Sequence, residues 1–187
     1  REKAIMKDYA NIAMQYAKDI QTKKIVACEF ARQATRRFLN DIKNSKAKSS
    51  LFFFDENAVN EICSFAESLQ LPDIKKSLVL QDWQIFIYAN IWGWKYKDNH
   101  ERRRFRTAYI EVARKNGKTS GFLFPFILYD FLTETASESY LASATIEQSE
   151  KSFQEIEEII NGNSELKEIC KCYSSAITFD NSKITFF

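Results

Sequence analysis

Residues 106–120 read Arg106-Thr107-Ala108-Tyr109-Ile110-Glu111-Val112-Ala113-Arg114-Lys115-Asn116-Gly117-Lys118-Thr119-Ser120, and how they are read decides the fold. Tyr109, Ile110 and Val112 have the β-branched and aromatic character of a buried strand. Gly117-Lys118-Thr119 then turns the chain into a long apolar segment, residues 121–132. Strand, glycine turn and helix in that order predict a phosphate-binding loop. Gly117 lets the backbone approach an anion, Lys118 carries a point charge to the outer phosphates, and the Thr119 hydroxyl stands at the helix N-terminus where it can ligate Mg²⁺. Val112 occupies the place of the first glycine of the usual G-x-x-x-x-G-K-[ST] pattern, so the match is incomplete. On these residues alone, an ordinary strand-to-helix turn with solvated lysines is the alternative.

Val112-Ala113-Arg114-Lys115-Asn116-Gly117-Lys118-Thr119-Ser120 resembles the deviant Walker A loop of the large terminase subunits of tailed bacteriophages, the ATPases that drive viral DNA into a preformed capsid. Leu80-Gln81-Asp82-Trp83-Gln84, followed by Ile91-Trp92-Gly93-Trp94, resembles the adenine-side segment of the same family. The similarity extends from Tyr9-Ala10 through Phe54-Asp55 to Ala142-Ser143-Ala144-Thr145 and Gln148.

The resemblance implies an α/β protein: a helical N-terminal lead-in over residues 1–71, then the first part of an ASCE-type P-loop NTPase core with a mainly parallel sheet over residues 72–187. It implies ATP and Mg²⁺ as cofactors. Gln84, Arg114, Lys115, Asn116, Gly117, Lys118, Thr119 and Ser120 would contact the nucleotide, and Thr119 would hold the metal. Lys118 and Arg114 would act catalytically, Arg114 as an arginine finger in cis. Equally, Arg114 neutralises bound phosphate or pairs with Glu111. Implied partners are double-stranded viral DNA, the portal protein, the small terminase subunit and further copies in a ring, with no membrane. The implied location is the bacterial host cytoplasm, transiently at the procapsid portal. A helicase-like remodelling ATPase, or a non-catalytic docking module for the small subunit or portal, are the competing readings.

The 187-residue length allows one good core and a small appendage. Lys plus Arg is 27 against 25 Asp plus Glu, so a formal charge of +2 requires any DNA contact to come from a local patch. No run is long enough to span a membrane, and the charged start Arg1-Glu2-Lys3 is no signal peptide. Cys28, Cys63, Cys170 and Cys172, with the single His100, lack metal-ligand spacing apart from the Cys170-x-Cys172 pair, which reads as reduced thiols.

Residues 3–42 show helical periodicity through Ile5, Tyr9, Ile12, Ala13, Tyr16 and Ala17, then through Phe30, Ala34, Phe38 and Leu39, with a joint near residues 19–24. Arg32, Arg36 and Arg37 form either a basic face for DNA or a solvated helix side. Residues 43–50 read as a polar loop, and Asp55 as the N-cap of a helix faced by Ala58, Ile62, Phe65, Ala66 and Leu69. Pro72 marks the change to the second part. Residues 83–94 form an aromatic helix, in which Gln84 has the amide geometry for adenine N6 and N7, or is simply exposed. Asn99-His100-Glu101-Arg102-Arg103-Arg104-Phe105-Arg106 is the most basic window, either a phosphate-backbone contact or a solvated loop.

Pro125 lies inside the apolar helix, which predicts a kink or bulge there that does not reach the phosphate site. Tyr140-Leu141-Ala142 gives a strand, Thr145 and Gln148 a capping box, and residues 176–179 and 184–186 a β-hairpin. Hydrolysis also needs a metal-holding carboxylate on a later strand, usually with a glutamate to orient water. Ile127-Leu128-Tyr129-Asp130 lies on the loop's own helix, and Asp180 is followed by Asn181, so neither supplies that pair. The expected chain is therefore the N-terminal half of an ATPase, without its Walker B acids or a C-terminal nuclease.

Overall fold

The computed structural model describes residues 7–71 and 76–187. Ile5, Pro72 and the organisational change assigned to Pro72 lie outside them. In chain order come α1 (Tyr9–Gln21), α2 (Glu29–Ser45), β1 (Phe52–Phe54), α3 (Glu56–Ser68), β2 (Gln70–Leu71), β3 (Lys76–Ser77), α4 (Asp82–Trp92) and β4 (Trp94–Tyr96). A π-helical turn (Thr119–Leu123) leads into α5 (Phe124–Thr133), followed by β5 (Glu138–Leu141), α6 (Ile146–Gly162), α7 (Ser164–Ile169), β6 (Lys171–Tyr173), β7 (Ala176–Phe179) and β8 (Ser182–Phe186). The chain divides into two compact units: residues 1–64 with 80–111, and residues 65–79 with 112–187.

In the first unit α1 buries Tyr9, Ala10, Ala13, Ala17 and Ile20, a stripe at helical spacing that packs against α2 and α4. Asp8 caps α1 by accepting from the Asn11 N–H at 3.0 Å. Gln21 ties α1 to α2 by donating to the Arg32 carbonyl and the Thr35 hydroxyl. The inward face of α2 is Thr35 and Phe38, and Phe30, expected on it, is 82% exposed. Phe30 sits in the first turn of α2, where burial depends on what the incoming chain covers and periodicity is silent.

Strands β1 and β4 pair antiparallel, Phe54 opposite Trp94, and Phe38 meets both rings edge-on. Gly93 is where this packing is tightest: a Cβ there would lie 2.8 Å from Val59 Cγ2 and 2.7 Å from the Ala89 carbonyl, and would run into Phe54 Cε2. Only glycine fits between the two tryptophans. Asp55 caps α3 as expected, accepting from the Ala58 N–H at 3.1 Å, while its second oxygen meets Lys95 Nζ at 2.9 Å.

Three arginines of the basic window stack on aromatic rings, while Arg106 is exposed. Arg104 donates to Asp41 at 3.0 Å and lies over the rings of Phe52, Trp94 and Phe105. Arg102 covers Tyr96, Arg103 covers Trp92, and Arg37 covers the Phe105 ring while donating to Asn90. Guanidinium groups are weakly hydrated and planar, so stacking on these rings outcompetes water.

In the second unit a four-stranded sheet has the order β5-β8-β7-β6. Only β5 and β8 are parallel; β8–β7 and β7–β6 are antiparallel. The sheet is thus small and mixed rather than mainly parallel, because the hairpin at residues 176–186, which forms as expected, brings an antiparallel turn with it. Ser182 joins sheet to helix: its hydroxyl donates to the Glu134 carbonyl and accepts from the Ser137 N–H. Ile177, Ile184, Phe131, Phe153 and Ile156 form the core that α5 and α6 share with the sheet.

The strand expected ahead of the loop does not form. Residues 105–113 carry no regular secondary structure, and Tyr109 is 89% exposed. A strand is defined by neighbours that take its N–H and C=O groups, and no described strand flanks this segment.

Candidate functional site

The loop between residues 113 and 118 has an unusual backbone. Lys115 has φ 65° and Gly117 φ 66°, while Lys118 is right-handed at φ −64° and ψ −45°. Asn116, between them, has no positive φ. A left-handed residue followed by a right-handed one, as at Gly117-Lys118, turns successive N–H groups onto one concave side, a nest that attracts anions. Lys115 gains nothing sterically from this: a side chain in the left-handed region costs roughly 1–2 kcal/mol. Asn116 braces it, its amide donating to the carbonyls of Ala113 at 3.1 Å and Arg114 at 3.3 Å. The side chain named as a nucleotide contact is therefore engaged within the loop, leaving its backbone N–H for a ligand.

Arg114, Lys115 and Lys118 are exposed. Among the described residues none has an ion-pair partner, and Glu111 instead accepts from the Tyr109 hydroxyl. Thr119 and Ser120 are half-buried and open the π turn, in which Leu123 N–H donates to the Lys118 carbonyl and Phe124 N–H to the Thr119 carbonyl. Pro125 explains the wide register. It has no N–H, and its ring would press on the carbonyl four residues back, which the π turn moves aside. The expected bulge is present, but it reaches Thr119 and so extends into the loop expected to bind phosphate. The turn runs directly into α5, so the N–H groups that begin this continuous helical stretch are those of Thr119 and Ser120, immediately after the loop.

Gln84 is buried in the first unit, whereas the loop belongs to the second. Its Oε1 accepts from the Gln81 N–H at 2.8 Å, half of a capping box at the start of α4. Thr145 caps α6 through the Gln148 N–H at 3.3 Å. Asp130, on α5, accepts from the Ser137 hydroxyl, and Asp180 sits in the hairpin turn with φ 49°. Among the described residues no group of acids, histidines and cysteines has the arrangement to hold a metal. Burial, with Cys172 close by, pushes the Cys170 thiol up to about 11, so the Cys170-x-Cys172 pair is a poor ligand. No described helix is long and apolar enough to cross a membrane.

Sequence reading missed the left-handed Lys115 and the bracing role of Asn116. The Asn116-Gly117 dipeptide, a turn signal, was the available clue.

The family described as terminase large subunit, ATPase domain, matches residues 82–179. The crystal structure of the HK97 bacteriophage large terminase is similar in fold, with a TM-score of 0.57 and 21% identity over 68% of this chain. The chain spans 26% of that terminase's length. No curated protein sequence matches the chain.

Proposed function

Because this chain belongs to the family of the terminase large subunit ATPase domain, we propose that it is the ATP-binding part of a motor that moves double-stranded viral DNA into a procapsid. The supporting observation is the loop: left-handed Lys115 and Gly117, the latter followed by right-handed Lys118, ringed by three cations without carboxylate partners among the described residues. A turned backbone ringed by cations that have no carboxylate partner among the described residues fits a polyphosphate.

In this reading the N–H groups of Asn116, Gly117 and Lys118 cradle the phosphates, and those of Thr119 and Ser120 meet them at the helix start. Lys118 Nζ carries charge to the outer phosphates, and Arg114 neutralises the γ-phosphoryl group as charge builds there. The Thr119 hydroxyl is one neutral oxygen ligand. That suits Mg²⁺, which keeps several waters and takes its other ligands from phosphate; when bound, it draws charge from the phosphoryl oxygens. Gln84 is the residue proposed to read adenine, because an amide offers both the donor and the acceptor that the N6 and N7 edge requires. Double-stranded DNA, the portal, the small subunit and further copies in a ring are the proposed partners, in the host cytoplasm. The longer protein would carry the Walker B acids and a nuclease.

Titration with a fluorescent ATP analogue and Mg²⁺ tests the reading. Lys118→Ala should weaken binding by ten-fold or more with the fold intact, and binding unchanged by that substitution would refute it. Turnover by this chain alone should be slight. Robust hydrolysis that Lys118→Ala abolishes would overturn that expectation while keeping the site.

A further inference from the structure

We propose that the solvent face of α2, with the loop that follows it, is a docking surface for duplex DNA; the choice of DNA rests on the packaging function proposed above, and the surface rests on its own geometry. Gln33, Arg36, Asn40, Lys43 and Asn44 are all exposed and recur at three- and four-residue spacing, and Lys46 and Lys48 continue the exposed cations past the helix end. Arg36 and Lys43 are one heptad apart, within about 20° of the same azimuth and about 10 Å along the axis. That span matches about three phosphates along one DNA strand.

What distinguishes this face from an ordinary solvated helix side is the fate of the nearby acids. Between residues 29 and 50 the only carboxylates are Glu29 and Asp41. Glu29 is held by Arg32 at 3.1 Å and Gln33 at 3.3 Å, and Asp41 by Arg104 at 3.0 Å. Arg36 feels Glu29 only at longer range, and Lys43, Lys46 and Lys48 have no acidic partner among the described residues. Arg32 and Arg37 take no part, since Arg32 pairs with Glu29 and Arg37 is turned to Asn90 and Phe105.

A helix C-terminus would ordinarily repel phosphate. Here Lys97 Nζ donates to the Ser45 carbonyl at 3.1 Å and the Ala47 carbonyl at 3.0 Å, cancelling that negative end. Arg36, Lys43, Lys46, Lys48 and Lys97 thus put five exposed cations on this surface. Interleaved amides from Asn40 and Asn44 supply the neutral donors that backbone-tracking faces use.

The test is fluorescence anisotropy of the 187-residue chain with a labelled DNA duplex across a salt series, without nucleotide. Arg36→Gln, Lys43→Gln, Lys46→Gln and Lys48→Gln should each weaken binding about five-fold at physiological salt and lower the slope of log affinity against log salt by about 0.9. Circular dichroism should stay unchanged. The combined variant should keep its affinity for the ATP analogue, which separates this surface from the phosphate loop; a wild-type chain that binds DNA but no nucleotide would sink the loop reading and leave this one standing. Unchanged affinity and slope in the combined variant would overturn the proposal. So would losses seen only on neutralising Arg114, Lys115 and Lys118. Equal competition by poly-glutamate at matched charge would assign the surface to an acidic protein instead, and would also overturn it.

Discussion

Replacing Gly117 by alanine isolates the backbone of the loop from its charges. At φ 66° a Cβ pays the left-handed penalty, roughly 1–2 kcal/mol. The loop is exposed, so the unliganded chain can relax to another backbone with little loss of stability, and the melting temperature should barely move. A ligand that needs the nest must restore the strained conformation, and its affinity should fall about 5- to 30-fold, the equivalent of that energy. Asn116→Ala should act in the same direction, since it frees Lys115 from the two carbonyl contacts that hold it. Lys115→Asn is the control: asparagine tolerates the left-handed region, so any loss reports the missing charge alone. Titration with an ATP analogue, and separately with pyrophosphate, reads all three variants. Wild-type affinity in Gly117→Ala would refute the nest argument, because a loop that binds equally well with the penalty present does not use that backbone.

Burial pushes the Asp55 carboxyl up, but the hydrogen bond from Lys95, the Ala58 N–H and the Lys95 charge outweigh it and hold the group below its ordinary value. Its folded state is thus favoured above the unfolded pKa of about 3.9, and the benefit is lost as pH falls through the lower folded value. Asp55→Asn should flatten that acid limb in thermal melts between about pH 5 and 2, and an unchanged limb would contradict it. Arg104→Lys should destabilise the first unit by about 1–2 kcal/mol despite keeping the charge, because an ammonium cannot stack on three rings, and equal stability in denaturant melts would remove the stacking argument. At pH 8 an alkylating thiol reagent should modify exposed Cys28 quickly and Cys170 hardly at all, as peptide mapping would show, since burial raises the Cys170 thiol to about 11.

Local chemistry was enough for the caps at Asp55 and Thr145, the inward stripe of α1, the hairpin around Asp180-Asn181 and the helix that follows Gly117. Each depends on residues within a few positions of one another, where backbone preference and side-chain spacing act directly. The disturbance at Pro125 was legible for the same reason, although its reach to Thr119 was not, because the register of a turn depends on how the whole helix seats. Strand pairing, ring stacking and burial belong to the tertiary structure. Tyr109 to Val112 have strand-forming side chains but no neighbour to bond; Arg102, Arg103 and Arg104 look like a phosphate contact until Tyr96, Trp92 and Trp94 come beneath them; Gln84 spends a lone pair on Gln81. The sequence alone determined which short segments could form and which loop was the candidate for binding phosphate. Only the folded chain decided which polar groups were left over for that binding, because a charge is available to a ligand only when nothing inside the protein has already satisfied it.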